Sequence, residues 1–172
     1  AGWCYLGLSE SPENKPEQAR ALLDSAKKYL FRAVAIHKKY AAAYLNLSVA
    51  YFHLSLPDSA SYYLNFVSTI YPGHPSLKRI SGLISQLYLG KAMVLGGQQK
   101  PLEAIQELRK GLALDNPDSM SAKLWDNLGG AYFTIRQWDS ARSAWTKTLQ
   151  LKPDYIDAQR GLQALPKPAT AQ

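Results

Sequence analysis

The side chains that could carry chemistry are few: one thiol, Cys4, three imidazoles, His37, His53 and His74, and 13 carboxylates. A metal site needs ligands at spacings that one turn or one helix face can gather, such as Cys-x2-Cys or His-Glu-x2-His. The three histidines lie far apart with no thiol or carboxylate at a ligand spacing, so no metal and no cofactor is expected. Gly-x-Ser-x-Gly elbows, Walker loops and paired-carboxylate motifs are absent from the sequence, which argues against an enzyme. The stretch LGGQQKP, Leu95 to Pro101, sets two glycines before a helix, as a phosphate loop does, yet no strand precedes it. It reads instead as a turn inside a helical pair that needs flexible residues. Cys4 alone forms no internal disulfide and reads as a small packing residue, and cysteine usage leaves the compartment open. His53 reads as a hydrogen-bonding group for a ligand rather than a catalyst.

Something must position these groups, and composition bounds what it is. A chain of 172 residues, 47% hydrophobic and 19% charged, is long and apolar enough to fold around a core. The formal charge of +7 raises nucleic acid or an acidic membrane as partners. However, the densest basic group, Lys27, Lys28, Arg32, Lys38 and Lys39, is spread around a helix, and no aromatic stacking platform is visible beside it, so nucleic acid is disfavoured. No apolar run approaches the roughly 18 residues of a spanning helix, and no leader-like segment opens the chain. The chain begins Ala1-Gly2-Trp3 without an initiator methionine, as a fragment or a processed chain would, and a membrane enters only through a neighbouring segment.

The triplet Asp-Ser-Ala occurs three times, at Asp24 to Ala26, Asp58 to Ala60 and Asp139 to Ala141, the first two copies 34 residues apart (58 minus 24). A fixed period in that range marks stacked repeats. From Leu124 to Leu151 the apolar residues follow helical spacing in two blocks, Leu124, Leu128, Ala131, Tyr132, Ile135 and then Ala141, Ala144, Trp145, Leu149, with a turn at Arg136 to Trp138. Asp139 then sits where the second helix begins, suited to its free N–H groups and dipole, while Ala141 is small enough for two helices to cross closely. Similar blocks recur at Tyr44 to His53 with Ser59 to Ile70, and at Leu77 to Leu95 with Leu102 to Leu114. Prolines at Pro72, Pro117 and Pro153 close each pair.

This pattern resembles the tetratricopeptide repeat, a 34-residue helix-turn-helix with the signature W-x2-L-G-x2-Y, A-x3-F, P. Trp125, Leu128, Gly129, Tyr132, Ala141, Trp145 and Pro153 fall at its spacing, Trp145 standing for the Phe; Tyr44, Leu47, Ser48, Tyr51, Ala60, Leu64 and Pro72 form a second copy. A weaker copy has Tyr88, Lys91, Ala92, Leu95, Ala104 and Leu108, with Lys91 replacing Leu and Pro117 one place late. At the front, Trp3, Leu6 and Gly7 are paired with Ala26, Leu30 and Ala33, with Glu10 at the Tyr place and about seven extra residues around Ser9 to Glu17. Pro16 would start a long helix running to about Lys39. PSLKRISGLISQL would extend the Tyr88 helix forward, with Leu77, Ile80, Leu83, Leu87 and Leu95 on one face. The resemblance implies an all-α fold, a right-handed α-solenoid of about four antiparallel helix pairs. Its repeats are approximately 1–40, 41–74, 75–118 and 122–155, with a capping helix at 156–165, all in one domain over 1–165, and a tail at 166–172.

In such a repeat the first helices line the inner surface, where an extended peptide or helix can lie. Opposite the motif residues this face holds Leu45, Asn46, Val49, Phe52 and His53, then Leu89 and Met93, then Asp126, Asn127 and Phe133. The expected function is a protein-binding adaptor or scaffold whose groove takes a partner segment, with Asn46 and Asn127 able to hold a peptide backbone. Some members of the family clamp a terminal carboxylate with Lys, Asn and Arg from three repeats. Only Asn46 matches: Cys4 and Leu8 replace one pair, and Gln86 and Gly90 replace the basic pair. A more apolar segment is therefore expected rather than an acidic C-terminus. Two alternatives share the fold: a self-associating assembly component, or the soluble domain of a larger membrane or envelope protein.

Overall fold

The computed structural model describes residues 2–9, 11 and 15–166, without the side chains of Trp3 and Leu8. The described residues form nine helices and no strand: α1 (Gly2–Ser9), α2 (Pro16–Ile36), α3 (Ala41–His53), α4 (Pro57–Ile70), α5 (Leu77–Gly97), α6 (Pro101–Leu112), α7 (Asp118–Thr134), α8 (Trp138–Leu151) and α9 (Ile156–Ala164). The chain divides into two compact units, Ala1–Ile84 and Ser85–Gln172, at a point inside α5. The forward extension of the Tyr88 helix is thus continuous with it, and α2 ends at Ile36, three residues short of Lys39. Of the expected tail only Pro166 is described; residues 167–172, like Glu10 and Pro12, lie outside the described residues.

Within each unit the helices pair as antiparallel hairpins, and the second helix of each pair carries a buried alanine. Ala26, Ala60, Ala104 and Ala141 are exposed by only 0%, 0%, 3% and 0%. A larger side chain at these points would hold the backbones apart, so the alanines set how closely the helices cross. In α4, α6 and α8 the alanine is the fourth helical residue and its N–H closes the first turn onto Leu56, Lys100 and Gln137 respectively.

The turns joining these pairs are the same turn three times. Ser55, Gln99 and Arg136 have φ of 57°, 60° and 60°. The next N–H bonds to the carbonyl five residues back, Leu56 to Tyr51, Lys100 to Leu95 and Gln137 to Tyr132, each about a 3 Å bond that closes the helix C-terminus. Proline then opens α4 and α6 at Pro57 and Pro101, where its missing N–H costs nothing. LGGQQKP is therefore a helix stop, but its glycines are not the flexible part: Gly96 and Gly97 are helical, and the left-handed residue is Gln99. Asp139 lies in the first turn of α8 without a side-chain cap bond, so its contribution is to the helix dipole alone.

The ends of the second helices also repeat. His37, Tyr71 and Lys152 donate to Ala33, Val67 and Thr148 in α2, α4 and α8. In α6 the matching carbonyl is Gly111, seven residues past Ala104 as Val67 is seven past Ala60. It accepts from the Asn116 side-chain amide at 2.7 Å, and the buried Ser85 hydroxyl donates to Asn116 Oδ1 at 2.8 Å. Gly111 O also accepts the Leu114 backbone N–H at 3.2 Å and the Ser85 hydroxyl at 3.0 Å, so in α6 buried side chains add to the backbone closure.

Two register expectations are corrected. Gly7 has open space around it, whereas a Cβ on Gly2 would meet Leu30 Cγ at 2.8 Å, so Gly2 is the close-packed glycine of the first pair. Tyr5 then takes the motif tyrosine's place, and its ring stacks on Tyr29 at 5.5 Å. Gly2 to Ala26 is 24 residues and Gly129 to Ala141 is 12, so the insertion is twelve residues, seven of which lengthen α2, where Ala26 is the eleventh residue. Along α5 the buried face is Leu77, Ile80, Ile84 and Tyr88 with Ser81 and Ser85; Leu83 is exposed. Leu77 and Ile80 of the expected stripe are on this face, but Ser81 and Ser85 turn inward where Leu83 is expected.

Candidate partner-binding grooves

Unit 1 opens a groove of about 580 Å³ between α3 and the first turns of α5. Val49, Phe52 and His53 line it, as the sequence places them, and they are joined by Arg79, Ile80 and Leu83. Phe52 and His53 meet edge to face with centroids 5.2 Å apart. Leu45 and Asn46, half-buried on the preceding turn of α3, do not line this hollow.

Unit 2 opens a groove of about 830 Å³ between the second half of α5, α7 and α9. Met93, Asp126 and Asn127 line it together with Thr134, Trp145 and Asp157. Met93 is 61% exposed, whereas Leu89, placed on the same face by the sequence, is 5% exposed and belongs to the core around Leu108, Leu124 and Leu128. Phe133 is half-buried, its ring 5.2 Å from Trp138 and 5.9 Å from Trp145. Both residues pack the scaffold instead of facing the groove. The amide of Asn127 donates to Lys123 O at 2.9 Å on its own helix.

Trp145 shapes this groove. A Cβ at Gly129 would lie 2.5 Å from its Nε1, and one at Gly161 2.5 Å from its Cε2, so the indole is held between a glycine of α7 and one of α9. Seating α9 there brings Asp157 to the groove. The Asp126 carboxylate accepts a hydrogen bond from Trp145, but its pKa is pushed up to about 6, chiefly by burial and then by the charge of Asp157. Tyr155 is raised as well, by burial and by both carboxylates. Spacing alone gave no sign of Asp157, because the terminal helix reads as a cap with polar residues outward.

Lys91, the departure from the motif leucine, has a partner: its Nζ lies 2.9 Å from Glu107 Oε2 on α6, with Lys110 Nζ 2.9 Å from Oε1. Burial raises the Glu107 pKa, but the two ammonium groups outweigh it and the net shift is downward. The sequence reading also missed an aromatic cluster in unit 1. Tyr63 packs on Phe31, Tyr44, Tyr51 and Tyr62, and Lys27 sits 5.3 Å above Tyr51. These rings come from three helices, so no single stretch displays them.

Among the described residues, no group of three or more His, Cys, Asp or Glu could hold a metal ion, and no helix is long and apolar enough to cross a membrane. No protein-family profile matches the sequence, and no curated protein matches it. Similar solved structures include MamA, 18% identical over 85% of this chain and 78% of that one with a TM-score of 0.44. TTC0263, a tetratricopeptide protein of Thermus thermophilus, is 17% identical over 95% of this chain and 98% of that one, TM-score 0.42. The APC/C Cut9-Hcn1 hetero-tetramer is 14% identical over 94% of this chain and 35% of that one, TM-score 0.44. With its buried crossing alanines and thrice-repeated turn, the chain has a tetratricopeptide-like repeat fold.

Proposed function

We propose that the chain is a non-catalytic adaptor that binds segments of a protein partner along the exposed faces of its first helices. The observation that carries this reading is the recurrence of an open, largely apolar groove in each unit, at Val49, Phe52 and Leu83 and again at Met93 and Trp145. Apolar surface left open beside a packed core marks a contact site, and a groove between helices suits an extended or helical segment. Selection of displayed random dodecapeptides against the immobilised chain tests it. Recovery of a consensus whose binding is lost in Phe52→Ala or Met93→Gln, with the helical circular dichroism unchanged, supports the reading. Recovery of no consensus, or of one indifferent to both substitutions, refutes it. Self-association through the same faces is the competing reading, and a strictly monomeric chain by light scattering at high concentration removes it.

A further inference from the structure

We propose that the unit 2 groove takes a cationic anchor, a lysine or arginine side chain flanked by apolar residues on the partner segment, with its charged head at Asp126 and Asp157. This deepens the adaptor reading and rests on it. The groove combines two kinds of surface. Its walls, Met93, Ala131 and the Trp145 indole, are apolar and suit a methylene stem. Its charged members are both carboxylates, and among the described residues that line it none is basic. The nearest cation on α9 is Arg160, whose Nη1 lies 4.0 Å from Asp157 Oδ1 with both side chains largely exposed.

This is a local excess of negative charge on a chain of net charge +7. A neutral segment would cover the half-buried Asp126 without a counter-charge, and an acidic one would add repulsion. A cationic head answers both, because charge-assisted bonds to a partly desolvated carboxylate are the stronger kind.

The groups facing Asp126 are Trp145 from α8 and Asp157 and Tyr155 from α9, with Arg160 reaching Asp157. The nearby lining from α5, the turn after it and α6, Met93, Gln99, Pro101 and Ala104, carries no charge. Since Asp126 is neutral below its value of about 6, a cationic anchor should bind more weakly at pH 5 than at pH 7.5.

The test takes the strongest unit 2 peptide from the display selection, synthesises it with norleucine in place of its lysine, and measures both by fluorescence anisotropy on the full chain. The expected result is at least tenfold tighter binding of the lysine peptide at pH 7.5. That advantage should disappear in Asp126→Asn, which keeps an acceptor for Trp145, and shrink at pH 5. A selected consensus without a basic position, equal affinity of the two peptides, or an unchanged advantage in Asp126→Asn overturns the cationic anchor while leaving the groove reading in place. A selection that yields no groove-dependent peptide overturns both.

Discussion

The indole of Trp145 has Gly129 on one side and Gly161 on the other, and neither glycine is there for backbone freedom, since no glycine among the described residues has positive φ. Each is held to glycine by the ring. Gly161→Ala gains about 1 kcal/mol of helix propensity but forces a methyl into a rigid ring, a cost of about 1–3 kcal/mol. The net change expected in urea titration is a loss of about 1 kcal/mol. Placing the same substitution on a Trp145→Phe background should turn that loss into a gain, and a cycle showing no coupling would mean the ring is not what excludes the methyl. Asp126 is the opposite case, a residue that weakens the fold where it stands. Its folded pKa of about 6 exceeds the ordinary 3.8, so the fold bears no penalty from it below the lower value, and the penalty of ionising it in place builds up as pH rises and is complete above about 6. Asp126→Asn should therefore stabilise the chain by about 1 kcal/mol at pH 7.5, a figure reduced for partial solvent access, and by nothing measurable at pH 4. Equal melting shifts at both pH values would contradict the assignment.

At the scale of the helix, the repeated stop at Ser55, Gln99 and Arg136 shows that the turn is specified by its hydrogen bonds and the proline or aromatic residue after it, without glycine at the left-handed position. A non-glycine residue there carries strain, so Gln99→Gly should stabilise by about 0.5–1 kcal/mol. Gly97, helical with open space around its Cβ, should gain a similar amount as Gly97→Ala. Thermal melts of the two single variants check both signs, and destabilisation by either would mean that LGGQQKP is shaped for something other than a helix stop. The sequence made the helices, the pair boundaries and the crossing alanines legible because each rests on local spacing: prolines at helix starts, apolar residues every three or four places, a small residue at a fixed offset. What it hid depended on contacts distant along the chain. Asn116 closing α6, Lys91 reaching Glu107, Gly2 rather than Gly7 meeting Leu30, and Asp157 arriving beside Asp126 are all set by how one helix seats on another.

For the molecule as a whole, a repeat array lets each pair draw stability from its neighbours only, so a local injury should stay local. The crossing alanines allow a direct trial. Ala141→Leu inserts three carbons at a point with no exposure, between helices α7 and α8, at a cost of about 3 kcal/mol. Amide hydrogen exchange should then show lost protection through α7, α8 and α9, while α2 and α3 keep theirs. Ala60→Leu should show the reverse, with the loss in α3 and α4 and protection retained in α8. The division of the chain at Ile84 and Ser85 matters to this expectation, because both residues are fully buried and lie in one continuous helix. If α5 transmits the injury as a rigid rod, both variants will lose protection equally at the two ends, and the chain folds as a single cooperative block. If cooperativity decays along the array, protection will fall steeply with distance from the substituted alanine, and each groove can respond to its own ligand without unfolding the other.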